Sequence, residues 1–172
     1  SAWDTITVPS CWQMKGWDTP LYINVNHIFE DNPPFIRIQK TYTSAVDPNP
    51  TGSYRRDFIL PTGWEKKRVY LHFDGLYSGA YVWINGRYIG YTQGGNNNAE
   101  FDISAAVRAG QNNVSIQVVR WTDASYLEGQ DMFHMSGLHR DVYLYATPRT
   151  SIRDHYITSK LHPESDYTTG EI

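Results

Sequence analysis

The 172 residues contain a single cysteine, Cys11. That excludes an intrachain disulfide and argues against a cysteine-built zinc site. It leaves the compartment open between cytoplasm and periplasm, because many exported proteins lack disulfides. No apolar run reaches the length of about 18 residues that a membrane-spanning helix needs. Cationic excess is missing too: 15 Lys and Arg stand against 18 Asp and Glu, a formal net charge of −3. Neither nucleic acid nor an anionic membrane is expected as a partner. The stretch Gly94-Gly95-Asn96-Asn97-Asn98 has no lysine or helix after it and reads as a polar turn, not a phosphate loop. There is no Gly-x-Ser-x-Gly elbow and no His-Glu-x-x-His pair, and His134 and His139 lack metal-ligand spacing. No two acidic residues are marked as an acid and a nucleophile, so catalysis is not visible in these residues. The chain opens on Ser1-Ala2-Trp3-Asp4, without Met and without the character of a signal peptide, as a processed chain or a piece of a longer one would.

Aromatic residues are abundant at 15%, with 13 Tyr and 6 Trp. This suits an all-β protein, and it also suits sugar binding, since the C–H face of a pyranose stacks on an aromatic ring. Period-two alternation dominates. Val69, Leu71 and Phe73 point one way and Tyr70 and His72 the other. Val114, Ile116 and Val118 form a second such set, and Val142, Leu144 and Ala146 a third. Asn85-Gly86 is a strong hairpin signal between residues 81–84 and 88–91. Further strands are expected at 5–8, 22–28 and 54–60. Only 102–110 reads as helical, for one or two turns, with Ser104 as N-cap and Gly110 as the stop. At 172 residues about 70% of the unfolded surface is buried on folding, enough for a core without staples. The expected fold is an all-β sandwich of jelly-roll type.

Two segments break the rhythm. Residues 29–53 form a long turn-rich stretch containing Asn32-Pro33-Pro34-Phe35 and Asp47-Pro48-Asn49-Pro50-Thr51-Gly52-Ser53, and loops of this length are usually functional or disordered. After Ala146-Thr147-Pro148, residues 150–161 read as one further strand and 162–172 as a polar tail. The chain thus divides into a sandwich at 1–148 and, at 149–172, the start of a second domain.

Chemistry concentrates in residues 125–142, where acidic, amide, aromatic, histidine and thioether side chains crowd between two strand-like segments. Asp131 is the leading candidate. Its carboxylate either accepts hydrogen bonds from sugar hydroxyls or ligates a hard cation, or else it caps a turn or pairs with Arg140. Asn49, held between two prolines, offers a donor and an acceptor that match a hydroxyl group, or is an ordinary turn asparagine.

Several segments together resemble the N-terminal sugar-binding domain of family-2 glycoside hydrolases, specifically that of the large β-galactosidases. They are Val8-Pro9-Ser10-Cys11-Trp12-Gln13-Met14, Pro20-Leu21-Tyr22-Ile23-Asn24-Val25, Asn49-Pro50-Thr51-Gly52-Ser53-Tyr54, Phe73-Asp74-Gly75 and Trp83-Ile84-Asn85-Gly86-Arg87-Tyr88-Ile89-Gly90-Tyr91. Glu100-Phe101-Asp102-Ile103-Ser104, Arg120-Trp121-Thr122-Asp123 and Gln130-Asp131-Met132 complete the set. The resemblance runs from Trp3 to Pro148. It implies a jelly roll followed by an immunoglobulin-like domain, of which 149–172 would be the first strand, and a (β/α)₈ barrel carrying the two glutamates of a retaining glycosidase. Nothing in this chain matches the barrel, so the chain alone is expected to be inactive. The resemblance also implies that loops of this domain complete a galactose subsite at the barrel mouth. Asn49 and Asp131 match its sugar contacts, and Asp131 also matches a ligand of a bound sodium or potassium ion. The full enzyme would use magnesium as well, whose ligands have no counterpart here. The 29–53 stretch resembles a region that builds subunit contacts, which implies a homo-oligomer. Phe133-His134 and Leu138-His139 depart from the family pattern, which bears on aglycone preference. The family's opening strand is missing ahead of Trp3, so an unpaired sandwich edge is expected. The alternatives are a stand-alone carbohydrate-binding module and a family-2 hydrolase acting on another β-glycoside.

Overall fold

The computed structural model describes residues 3–23, 28–29, 32 and 49–172. Among them the regular structure is β-strand, interrupted by one-turn 3₁₀ segments. One sheet has the order β2-β7-β4-β5, built from β2 (Thr51–Leu60), β4 (Gly79–Ile84), β5 (Arg87–Gln93) and β7 (Gly110–Val119). The other has the order β6-β3-β9, built from β3 (Arg68–Phe73), β6 (Ala99–Asp102) and β9 (Val142–Thr147). All pairings are antiparallel. A short ladder joins β1 (Leu21–Ile23) to β8 (Met132–His134).

The alternation read from the sequence places the core. Val69, Leu71 and Phe73 from one sheet meet Ala80, Val82, Ile84, Ile116 and Val118 from the other, all buried. Each fully buried branched or aromatic side chain contributes about 1.5–3 kcal/mol. Asn85 and Gly86 both adopt positive φ, 53° and 79°, which a two-residue turn between β4 and β5 requires.

Four expectations change. Residues 102–110 form a single turn, not a helix, because the Ser104 hydroxyl accepts from the Val69 amide at 2.8 Å instead of capping, and Gly110 already starts β7. Residues 5–8 make no strand pairing. They border a cleft of about 870 Å³ with Tyr54 and Phe58 of β2 and Val142 and Leu144 of β9. Among the described residues β2 and β9 are the unpaired edges on that side. Residues 51–53, read as loop, are the start of β2. In the tail, only β10 (Lys160–Leu161) of the expected 150–161 strand pairs, and its partner is β11 (Gly170–Glu171). Of the expected 22–28 strand, 21–23 pairs with β8 and 24–27 lies outside the described residues, as does 33–48 of the long turn-rich stretch.

The tail is nevertheless fastened to the sandwich. On the outer face of β3 and β9, Tyr70 stacks on Tyr145 at 5.0 Å and His72 on Tyr143 at 5.0 Å. The Arg153 guanidinium lies 5.0 Å over the Tyr70 ring and pairs with Glu100, which also accepts from the Tyr145 hydroxyl. Burial raises the Glu100 pKa, but hydrogen bonds from Tyr145, Arg153 and His72 outweigh it and hold the carboxyl below its ordinary value. A carboxyl lowered in the folded state contributes stability that is complete above its unfolded pKa and is lost as pH falls through the folded one. Glu100→Gln should therefore flatten the acid limb of the stability curve between about pH 6 and pH 3. Urea denaturation at each pH measures this, and identical acid limbs in the two proteins would contradict it.

Candidate functional site

One end of the sandwich is built around the chain that leaves β7. The β2–β7 ladder ends at the pair Thr51–Val119, the Arg120 amide adds one more backbone bond to the Pro50 carbonyl at 2.9 Å, and beyond it the pairing passes to a side chain. The Asn49 amide donates to the Trp121 carbonyl and accepts from the Trp121 amide, both at 2.9 Å. An asparagine side chain carries the donor and acceptor of a peptide group, so it continues the ladder where Pro50 has no N–H to give. One N–H and one lone pair of Asn49 remain for another partner.

Trp121 enters a small aromatic cluster with Ile28, Phe29 and Tyr77, against which Leu21, Tyr126 and Met132 pack. Beside it Arg120 is buried, with its guanidinium 4.9 Å from the Trp121 ring centroid. It pairs with Asp18 at 2.5 Å and donates to the carbonyls of Thr19 and His134 at 3.0 and 3.3 Å. Burial pulls the Arg120 pKa down and the Asp18 charge opposes it. Asp18 also accepts from the Trp12 indole and the Gln13 amide, each at 3.2 Å. Gln13 in turn accepts from the Ser136 amide at 2.8 Å. The segment 10–19 is thereby pinned to the 134–138 loop, and with it the β1–β8 ladder.

That ladder presents the candidate carboxylate. Tyr22 lies directly opposite Phe133, and the rings meet edge to face at 5.4 Å. Both are exposed, at 49% and 59%. The Tyr22 hydroxyl donates to Asp131, and this bond to a carboxylate raises the phenol pKa. Arg140 gives its donors to the carbonyls of Asp74 and Asn96, not to Asp131. Asp131 therefore stands at the surface, oriented by a tyrosine beside two exposed rings. Asn49 and Asp131 are not bonded to each other. They attach to the same aromatic cluster, Asn49 through the Trp121 backbone and Asp131 as the residue before Met132.

The floor of this end is tightly set. The Tyr77 hydroxyl and His134 Nδ1 are 3.1 Å apart, and burial, with the Glu128 charge, pushes the Tyr77 pKa up to about 12 against the pull of Arg120. Gly95 lies flat on the Tyr77 ring, where a Cβ would stand 2.1 Å from a ring carbon, and its amide donates to Glu128 at 3.1 Å. Among the described residues no three His, Cys, Asp or Glu side chains come together as metal ligands. Asp131 and Tyr22 do present hard oxygen, the donor type an alkali cation takes, so the chemistry fits such an ion while the remaining ligands must come from elsewhere. The sequence had not marked Tyr22, Asp18 or Arg120 as site residues. Tyr22 and Asp131 are separated by 109 residues and Asp18 and Arg120 by 102, beyond any local spacing signal.

Comparison with known proteins agrees with this architecture. Residues 1–148 match the family model described as glycosyl hydrolases family 2, sugar binding domain. A β-galactosidase of Psychromonas ingrahamii is 46% identical over 94% of this chain, and one of Priestia megaterium is 42% identical over 99%. The chain spans 15% and 16% of those relatives' lengths. A solved β-glucuronidase of Bacteroides uniformis is 31% identical over 57% of this chain and 12% of its own, with a TM-score of 0.53. A solved Bacteroides fragilis protein assigned as a β-galactosidase covers 86% of this chain and 19% of its own at a TM-score of 0.62, and at 20% identity it supports the fold alone.

Because Asp18 is, among the described residues, the carboxylate that pairs with the buried guanidinium, Asp18→Ala should lower the unfolding free energy by about 3–5 kcal/mol, the usual cost of leaving a buried charge unpaired. Urea denaturation reads this directly. A loss below about 1 kcal/mol would show that the pair does not hold the site together.

Proposed function

Since the chain belongs to the glycosyl hydrolases family 2, sugar binding domain, family, we propose that it forms one wall of the galactose subsite of a retaining β-galactosidase. The observation that carries this reading is the exposed Asp131 carboxylate, oriented by the Tyr22 hydroxyl and flanked by the Tyr22 and Phe133 rings. A galactosyl unit needs such a pairing: an acceptor for a hydroxyl, and apolar surface for its C–H face. Asp131 accepts from the sugar directly, or would contribute one oxygen to a sodium or potassium ion, whose positive charge would favour a sugar hydroxyl at the same place. Asn49 orients a second hydroxyl with the N–H and lone pair not used by Trp121. Two glutamates on a barrel outside this chain perform the acid/base and nucleophilic steps, about 5–5.5 Å apart in a retaining enzyme.

The curated β-galactosidases share 42–46% identity with this chain over nearly its whole length, which favours a galactoside over a glucuronide. Charge points the same way, because a uronate carboxylate beside Asp131 would meet a like charge. Residues 149–172 begin the next, immunoglobulin-like domain in this reading. Ile152, Tyr156, Ile157 and Leu161 are exposed at 59–91%, apolar surface suited to packing against further chain. In this reading the full enzyme is a homo-oligomer and would use magnesium held by residues outside this chain.

In the full-length enzyme, Asp131→Ala should remove a charge-assisted bond of about 1.5–3 kcal/mol, or roughly ten- to hundredfold in kcat/KM, together with the sodium dependence. Survival of both activity and sodium dependence would refute the assignment. The 172-residue chain alone should not hydrolyse an aryl β-galactoside and should bind free galactose weakly. Turnover, or tight galactose binding by titration calorimetry, would favour a self-sufficient module instead.

A further inference from the structure

The outward face of β4 and β5 carries four aromatic rings that neither the core nor the proposed subsite uses. Ala80, Val82 and Ile84 take the inner face and are fully buried, so Tyr81 and Trp83 point outward. Tyr91 lies directly opposite Tyr81, and Tyr88 opposite Trp83. The rings form one continuous stripe: Tyr91 to Tyr81 is 4.7 Å, Tyr81 to Trp83 is 6.2 Å and Trp83 to Tyr88 is 5.8 Å. The three tyrosines are exposed at 38–52%. A solvated face of an antiparallel sheet ordinarily carries polar residues, so four contiguous rings mark a surface that receives something.

The neighbouring strands say what kind of ligand suits it. Gln117 pairs with Tyr81 and Ser115 with Trp83 across β7, while Ser53 and Arg55 of β2 stand one strand further out. Each cross-strand row therefore runs from rings to an amide or hydroxyl. That order matches a sugar chain, whose C–H faces stack on rings and whose edges offer hydroxyls to amides and hydroxyls. A nucleic acid would need more than the single cation these rows contain. The C-terminal tail does not cover the rings at Arg153, which lies on Tyr70 and Glu100, on the outer face of the opposite sheet.

We propose that the Tyr91–Tyr81–Trp83–Tyr88 stripe is a second carbohydrate-binding surface, which takes a neutral β-linked oligosaccharide lengthwise and is independent of Asn49 and Asp131. A β-1,4-linked galactose hexamer, titrated calorimetrically into this chain, is the probe. Binding should fall about tenfold or more in Tyr88→Ser and in Gln117→Ala, while Tyr88→Phe, which keeps the ring, retains most of it. Asp131→Ala should leave it unchanged, so a failed galactose subsite and a failed stripe give different results. Circular dichroism and thermal melting show that each variant is folded. The proposal is overturned if the hexamer does not bind, if Tyr88→Ser and Gln117→Ala bind it as the parent does, or if sedimentation shows the stripe buried between two copies of the chain.

Discussion

Everything at the functional end of this domain hangs on one buried ion pair, Asp18 with Arg120. Asp18 gathers the indole of Trp12, the amide of Gln13 and the guanidinium of Arg120 onto one oxygen, and takes the Thr19 amide on the other. Arg120 passes the constraint on to the carbonyls of Thr19 and His134. Apolar packing could fill the same space at similar or better stability. It could not set the direction of the 10–19 segment or the register of Leu21 on His134, and that register places Tyr22 beside Asp131. The ion pair provides geometry more than it provides stability.

Much of the fold was legible because period-two alternation has a direct physical cause. Val69, Leu71 and Phe73 could face the core only in a strand, and Asn85-Gly86 could supply the two positive φ angles of a tight turn. Legibility failed where a side chain took a partner remote in sequence. Ser104 looked like a helix cap until the Val69 amide, 35 residues earlier, claimed its hydroxyl. The four-residue β6 is too short for alternation to show. Asp131 stood out through its own chemistry and surroundings, but the tyrosine that orients it arrives from the other end of the domain. Asn49 was readable as an amide that matches a hydroxyl. That it first completes a β-ladder is visible only in three dimensions.

The family assignment and the geometry answer different questions. The match over residues 1–148 establishes what kind of domain this is. The side chains show how such a domain keeps a polar, exposed carboxylate in a fixed place above an apolar core. Aromatic residues serve both ends. Trp121 and Tyr77 make a rigid floor from inside, and Tyr22 and Phe133 present ring surface from outside. The high aromatic content therefore reflects the β-sandwich and the proposed sugar chemistry together.

The edge formed by β2 has a consequence for the life of the chain in solution. Among the described residues nothing pairs with the outer side of this ten-residue strand, and such an edge is a template on which a second copy could build a growing fibre. Along it Arg55, Arg56 and Asp57 are all exposed, three consecutive charges near the middle of the strand. In-register stacking of identical chains would place each of these against its own like charge. Among the described residues this side has no partner strand, and the charges along it guard against such self-assembly.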